Sequence, residues 1–195
     1  MTMQFIASIF SSLLFIATFS YYCYRVYKGT VRVSVSTFCV LTITSVSQAI
    51  ALTIAGSLYA AVFMSIGSVV NFLIVFFALR RKNFEFKMLD KISFAAALVG
   101  IVVWYITKNP KLDVYILTLA IFISITPAVV KTFKDPYSED LLAWYLTFLA
   151  SLVFLCTITS FQPIHWIVQA RQMVFVTLMS VAVSRRFTRL KLKQP

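Results

Sequence analysis

The chain has 195 residues, of which 61% are hydrophobic and 12% charged, against roughly 45 to 50% and 25% in soluble domains. That balance excludes a soluble globular protein. Seven crossings at about 20 apolar residues each would leave about 55 positions for loops and tails, too few for an extramembrane domain. The formal charge of +12 would raise nucleic acid as a partner in a soluble chain, but here the basic residues bracket apolar runs. The charge is therefore read as topological, with the lipid bilayer as partner and no nucleic acid.

The apolar pattern predicts seven helices. The first, Met3 to Tyr24, carries no charge before Arg25 and runs too long for the core of a signal peptide, so it is read as a retained crossing. No charged residue occurs from Val33 to Leu79. That run fits two helices, Ser34 to Ile54 and Ser57 to Leu79, broken at Ala55-Gly56-Ser57, where glycine and short polar groups suit a tight turn. Leu89 to Thr107 and Leu112 to Val130 follow, expected to be the shortest, with Pro110 between them. Leu141 to Thr159 and Pro163 to Ser184 complete the set; Pro163 suits a first turn, where its missing N–H would be unpaired anyway.

The basic residues test this count. Seven crossings put the first, third and fifth connections on the side of the C-terminal tail. Those four segments hold fifteen of the eighteen Lys and Arg, among them Arg25, Lys28 and Arg32, Arg80 to Lys82, Lys131 and Lys134, and Arg185 and Arg186. The positive-inside rule then sets the N-terminus outside and the C-terminus in the cytoplasm, in the cell (inner) membrane. The chain also resembles itself at an offset of about 105. Arg80-Arg81 falls on Arg185-Arg186, and Arg25 to Lys28 meets Lys131 to Lys134 at an offset of about 106. The expected fold is thus a single all-α multi-pass bundle: a three-helix unit in 1–82, an inverting linker helix in 83–110, and a second, parallel three-helix unit in 111–195.

The most distinctive stretch is TPAVVKTFKDPYSEDLLAW, Thr126 to Trp144. Pro127 near the end of a membrane helix frees a carbonyl one turn earlier and makes a hinge. Beyond it, Ser138-Glu139-Asp140 can cap the next helix and set negative charge at its positive end. This text resembles the PQ-loop motif of the SWEET, semiSWEET and cystinosin-like superfamily, and most nearly its bacterial members whose fifth helix ends in a similar Pro-x-x-x-Lys. Pro127, Lys131, Ser138 and Leu141 stand where that motif expects them. Ala128 replaces its glutamine, Asp140 its frequent glycine, and Tyr21 stands in the first unit where Pro127 stands in the second. The resemblance implies a small-solute carrier, with Asn71 on the third helix at the solute site; the repeat sends Asn71 to Val176, so its symmetry mate is absent.

Arg171 is the costliest residue to set in a membrane, at about 2.5 to 3.5 kcal/mol near a helix centre. It lies about 12 Å down the seventh helix from Pro163, so it could snorkel outward, pair structurally, or bind an anionic ligand. No acid lies at comparable depth in another helix. Polar residues recur at helical spacing as Thr37, Thr44 and Gln48, small and polar positions as Ala60, Met64, Gly67 and Asn71, and the same rhythm appears in Trp144, Thr147 and Ser151. Such stripes serve close helix packing, or they set Gln48, Asn71, Trp144 and Arg171 around a shared pocket for a small polar solute.

Other chemistries are weak. Cys23, Cys39 and Cys156 show no metal-ligand spacing, His165 is the single histidine, and neither a metal site nor a cofactor is expected. A Ser/His/Asp catalyst would have to recruit His165 and Asp113, and no nucleotide or zinc-protease motif occurs, so an enzyme is not expected. The basic tail could touch anionic headgroups. The reading is a carrier for a sugar-like or amino-acid-like solute working by alternating access, with homo-oligomerisation allowed. The alternatives are a membrane-embedded receptor or assembly factor, in the manner of the KDEL receptor family on a SWEET-like scaffold, and a paralogue that supports a partner without transport.

Overall fold

A computed structural model describes residues 3–81, 88–158 and 163–191. Among them are seven α-helices: α1 (Met3–Tyr27), α2 (Val35–Ile54), α3 (Leu58–Arg80), α4 (Met88–Thr107), α5 (Pro110–Lys134), α6 (Leu141–Leu155) and α7 (Pro163–Lys191). A one-turn 3₁₀ helix, Pro136–Ser138, bridges α5 and α6. α1, α2 and α3, together with Val114–Lys134 of α5 and Trp166–Phe187 of α7, are long and apolar enough to cross a bilayer. Large apolar side chains such as Leu13, Val69, Leu119 and Val181 stay exposed on the outer faces. With so much hydrocarbon turned outward, the surrounding medium is lipid and the chain is an integral membrane protein.

The helix ends follow from local chemistry. The Ser34 hydroxyl accepts the Thr37 N–H at 3.5 Å to start α2, and the Asn109 side chain accepts from Lys111 and Leu112 to start α5. Pro110 occupies the first turn of α5 instead of preceding it, because the first N–H groups of a helix are unpaired in any case. Gly56 separates α2 from α3 with a φ of +77°, a conformation side-chain-bearing residues avoid.

The largest departures from expectation are in α5, α6 and α7, the last running to Lys191 instead of ending at Ser184. α5 is not among the shortest helices: it runs through Pro127 to Lys134. Proline removes only the bond to the Ile123 carbonyl, and next to that gap the Thr37 hydroxyl on α2 donates to the Ser124 carbonyl at 2.8 Å. α6 is the shortest, ending at Leu155, where the Cys156 and Thr157 N–H groups close the last turn onto Val153 and Phe154.

Six helices form a ring in the order α1, α3, α2, α5, α7, α6 and back to α1, while α4 lies outside against α5 and α2. Gly100 permits that docking, since a Cβ there would meet the Leu117 side chain at 2.7 Å. Rings from three ring helices close the interior, with Phe63 stacked on Phe154 at 3.8 Å and packed against Phe15 at 4.7 Å. The C-terminal ends of α1, α5 and α7 meet the start of α6 at one end of the ring, called the basic end below.

Candidate functional site

Inside the ring lies a small, partly open cavity of about 30 Å³. That volume is about one water molecule's share of the liquid. Asn71 from α3, Trp144 from α6 and Arg171 from α7 all line it, together with Ser45, Gln172 and a set of phenylalanines from α1, α2, α3 and α7. Gln48 is not on its wall but is fully buried behind it, where its carbonyl oxygen accepts from Arg171 Nη1 at 3.2 Å. The same amide donates to Thr118 Oγ1 at 3.3 Å and to the Val114 carbonyl at 3.4 Å. Three of the four residues expected at a shared pocket thus converge on one space, and the fourth positions the cation.

Arg171 does not snorkel outward. It is 4% exposed, and its second amino group contacts the Met64 sulfur at 3.7 Å. Among the described residues no carboxylate pairs with it. A guanidinium carries five N–H donors, and an amide oxygen and a thioether neutralise no charge. A partly provisioned cation beside a cavity is equipped to receive an anion.

Trp144 forms part of the cavity lining and reaches a second polar cluster at the basic end. Its indole N–H donates to Glu139 Oε2 at 3.2 Å. The same oxygen accepts the Tyr22 hydroxyl at 2.7 Å, and Lys131 pairs with Oε1 at 2.6 Å. Lys131 also donates to the Arg32 carbonyl. The neighbouring Asp140 caps α6 by accepting the Ala143 N–H at 3.0 Å. It lies 3.3 Å from Arg25 Nε and accepts the Tyr21 hydroxyl at 3.4 Å. Arg186 then donates to the Pro136 and Glu139 carbonyls at 2.9 and 2.8 Å, fastening α7 to the same loop. Both acids are buried, and α1, α5, α6 and α7, together with Arg32 in the α1–α2 connection, each send a group to this latch or to the loop that bears it.

The predicted cap was therefore right in kind, with Asp140 as the capping residue and Ser138 turned to the Asp135 carbonyl instead. The role of Glu139 was not foreseen. Its signal was available: two of the chain's six acids stand side by side where an apolar helix begins. The side chains of His165 and Asp113, weighed above as a catalytic pair, lie outside the described residues, as do Lys82 and the end of the basic tail.

Compared with protein-family models, with curated proteins and with solved structures, the chain matches none.

Proposed function

We propose that this chain is a membrane carrier for a small polar solute, built on a SWEET-like plan of two parallel three-helix units joined by α4, with its N-terminus outside and its C-terminus in the cytoplasm. The observation that carries the reading is the convergence of Asn71, Trp144 and Arg171 on one small cavity inside the ring. Sites of this kind, near mid-membrane and between repeats, serve alternating access.

Several features support the repeat. An offset of about 106 residues carries both ends of α1 to within a residue of the ends of α5, the start of α2 onto the start of α6, and the start of α3 to within a residue of the start of α7. The same offset relates the caps, Ser34 holding Thr37 and Asp140 holding Ala143. Packing repeats as well: α1 with α3 as α5 with α7, α2 with α3 as α6 with α7, and α1 with α6 as α5 with α2. The Arg32 N–H donates to the Ser138 carbonyl at 3.0 Å, and these two residues are themselves related by the offset. That bond lies where a two-fold axis between the units would pass. With helix bounds setting the offset near 106, the counterpart of Asn71 becomes Thr177 instead of Val176, its hydroxyl donating to the Met173 carbonyl at 2.7 Å.

A cavity with room for about one water is an occluded state, so admitting solute requires the units to part. At the basic end the latch crosses between them, joining Arg25, Tyr22 and Arg32 of the first unit to Glu139, Asp140, Lys131 and Ser138 of the second. Trp144 links the two places, because its ring borders the cavity and its N–H holds Glu139. A solute that displaces the indole also loosens the latch. Pro127 supplies a joint in α5 just above Lys131.

The test is uptake by reconstituted liposomes. A labelled sugar or amino acid should accumulate, and Asn71→Ala should abolish that uptake; no flux across a broad panel contradicts the reading. A second reading, a receptor or assembly factor, is favoured by one observation, the buried Arg171 that pairs with no carboxylate among the described residues. It expects binding without flux, removed by Arg171→Ala.

A further inference from the structure

Between α5 and α7, on the lipid-facing side of the ring, lies an open groove of about 390 Å³. For scale, a cavity of about 150 Å³ lined by Leu, Ile and Phe holds a benzene ring. Its walls are largely hydrocarbon and aromatic, from Leu119 and Phe122 on one side and Trp166, Ile167, Ala170 and Val174 on the other. Leu119, Val174 and Trp166 are exposed, so the groove faces the bilayer and not water. Arg171 forms part of this groove too, and among the described residues it alone lines both the groove and the central cavity. Thr118, which accepts from the Gln48 amide beside Arg171, also borders the groove.

We infer that the groove is a lateral portal, and that the ligand taken by Arg171 is an acidic amphiphile: a carboxylate on a hydrocarbon chain, reaching the guanidinium from the leaflet nearest the start of α7. The argument is one of complementarity. The walls offer a hydrocarbon chain the packing it has in lipid, and such walls give a strongly hydrated solute nothing to bind. At the foot stands a cation whose described partners are one amide oxygen and one thioether, with donors left for an anionic head group. A carboxylate deep in a membrane is tolerated only when paired, and Arg171 is 96% buried at that depth without a paired acid among the described residues. Each partner removes the other's penalty.

This rests on reading Arg171 as a ligand-binding cation but not on transport, and the experiment separates the two. Binding of radiolabelled decanoate is measured on the full chain in phosphatidylcholine nanodiscs, against empty discs. Binding should be saturable, competed by unlabelled decanoate and not by decanol or acetate. Arg171→Gln should weaken it at least tenfold. Ala170→Phe and Val174→Phe, which fill the groove and leave the cavity wall intact, should each weaken or slow it at least fivefold, with thermal unfolding confirming that both variants fold. Absence of saturable binding overturns the inference, as does equal competition by decanol, which removes the anion, or by acetate, which removes the chain. Wild-type binding in both groove-filling variants overturns the lateral route. Saturable decanoate binding in a protein that moves no polar solute leaves the portal standing and ends the carrier proposal.

Discussion

The molecule keeps its membrane charges in two layers that are provisioned differently. At the basic end, Glu139 and Asp140 are buried, but Lys131, Arg25, two tyrosine hydroxyls, an indole N–H and a helix N-terminus meet their oxygens. Some 12 Å along α7 from its other end, Arg171 is buried with only Gln48 and Met64 as described partners. A charge whose valences are filled by its own protein holds structure together. One left partly filled beside open space holds something else. The latch is thus read as a fastening and the Arg171 layer as a recognition element.

Substitutions in the two layers should have opposite consequences for stability, which makes the comparison breakable. The largest effect belongs to Glu139→Ala, which leaves Lys131, the Tyr22 hydroxyl and the Trp144 N–H without their acceptor. Breaking one side of a buried pair costs about 3 to 5 kcal/mol, so the thermal unfolding midpoint in detergent should fall steeply. Arg171→Met should go the other way, adding up to about 3 kcal/mol to the unfolding free energy as the cost of an embedded cation is removed, so that the midpoint rises while ligand binding disappears. If Arg171→Met destabilises as strongly as Glu139→Ala, the guanidinium is a structural member and the contrast fails.

Smaller effects sharpen the picture. Asp140→Ala removes the α6 cap and should cost about 1 kcal/mol, read as a lower unfolding midpoint, with Asp140→Asn recovering most of it because an amide oxygen still accepts the Ala143 N–H. Pro127→Ala should change stability by a similar amount in the other direction, a gain of about 1 kcal/mol from the restored bond to the Ile123 carbonyl. Its signature is kinetic: uptake should slow while the half-saturating solute concentration stays put, because a stiffer α5 hinders the motion and not the site.

Much of this was legible in the sequence because membrane helices obey a strong rule. Every backbone group must be satisfied within its own segment, so apolar runs, basic ends and a single Gly56 turn sufficed to delimit α1, α2 and α3 closely. The lengths of α5 and α6 were less legible. Pro127 reads as a hinge close to a helix end expected at Val130, yet α5 continues past it to Lys134, with Thr37 of α2 bonded to the neighbouring Ser124 carbonyl. The grouping of Asn71, Trp144 and Arg171 could be anticipated from polar residues at helical spacing on otherwise apolar faces. The bond from Gln48 to Arg171 could not, since it spans 123 positions and depends on how α2 and α7 sit around α5. Glu139 was hidden for a related reason: beside a capping aspartate it looks like helix-dipole charge, and only the packing of α1 against α6 brings Tyr22 over it.

The central claim is that the cavity opens in turn to each side of the membrane while the latch governs the basic end. Ser45 lines that cavity and is buried. The most direct measurement is therefore labelling of Ser45→Cys by a membrane-impermeant thiol reagent, applied from either side, with Cys23, Cys39 and Cys156 replaced. The account predicts reaction from both faces, and loss of labelling from the cytoplasmic face alone once Arg32→Cys and Ser138→Cys are cross-linked across the latch before the reagent is added. Labelling from one face only, indifferent to that cross-link, would contradict it.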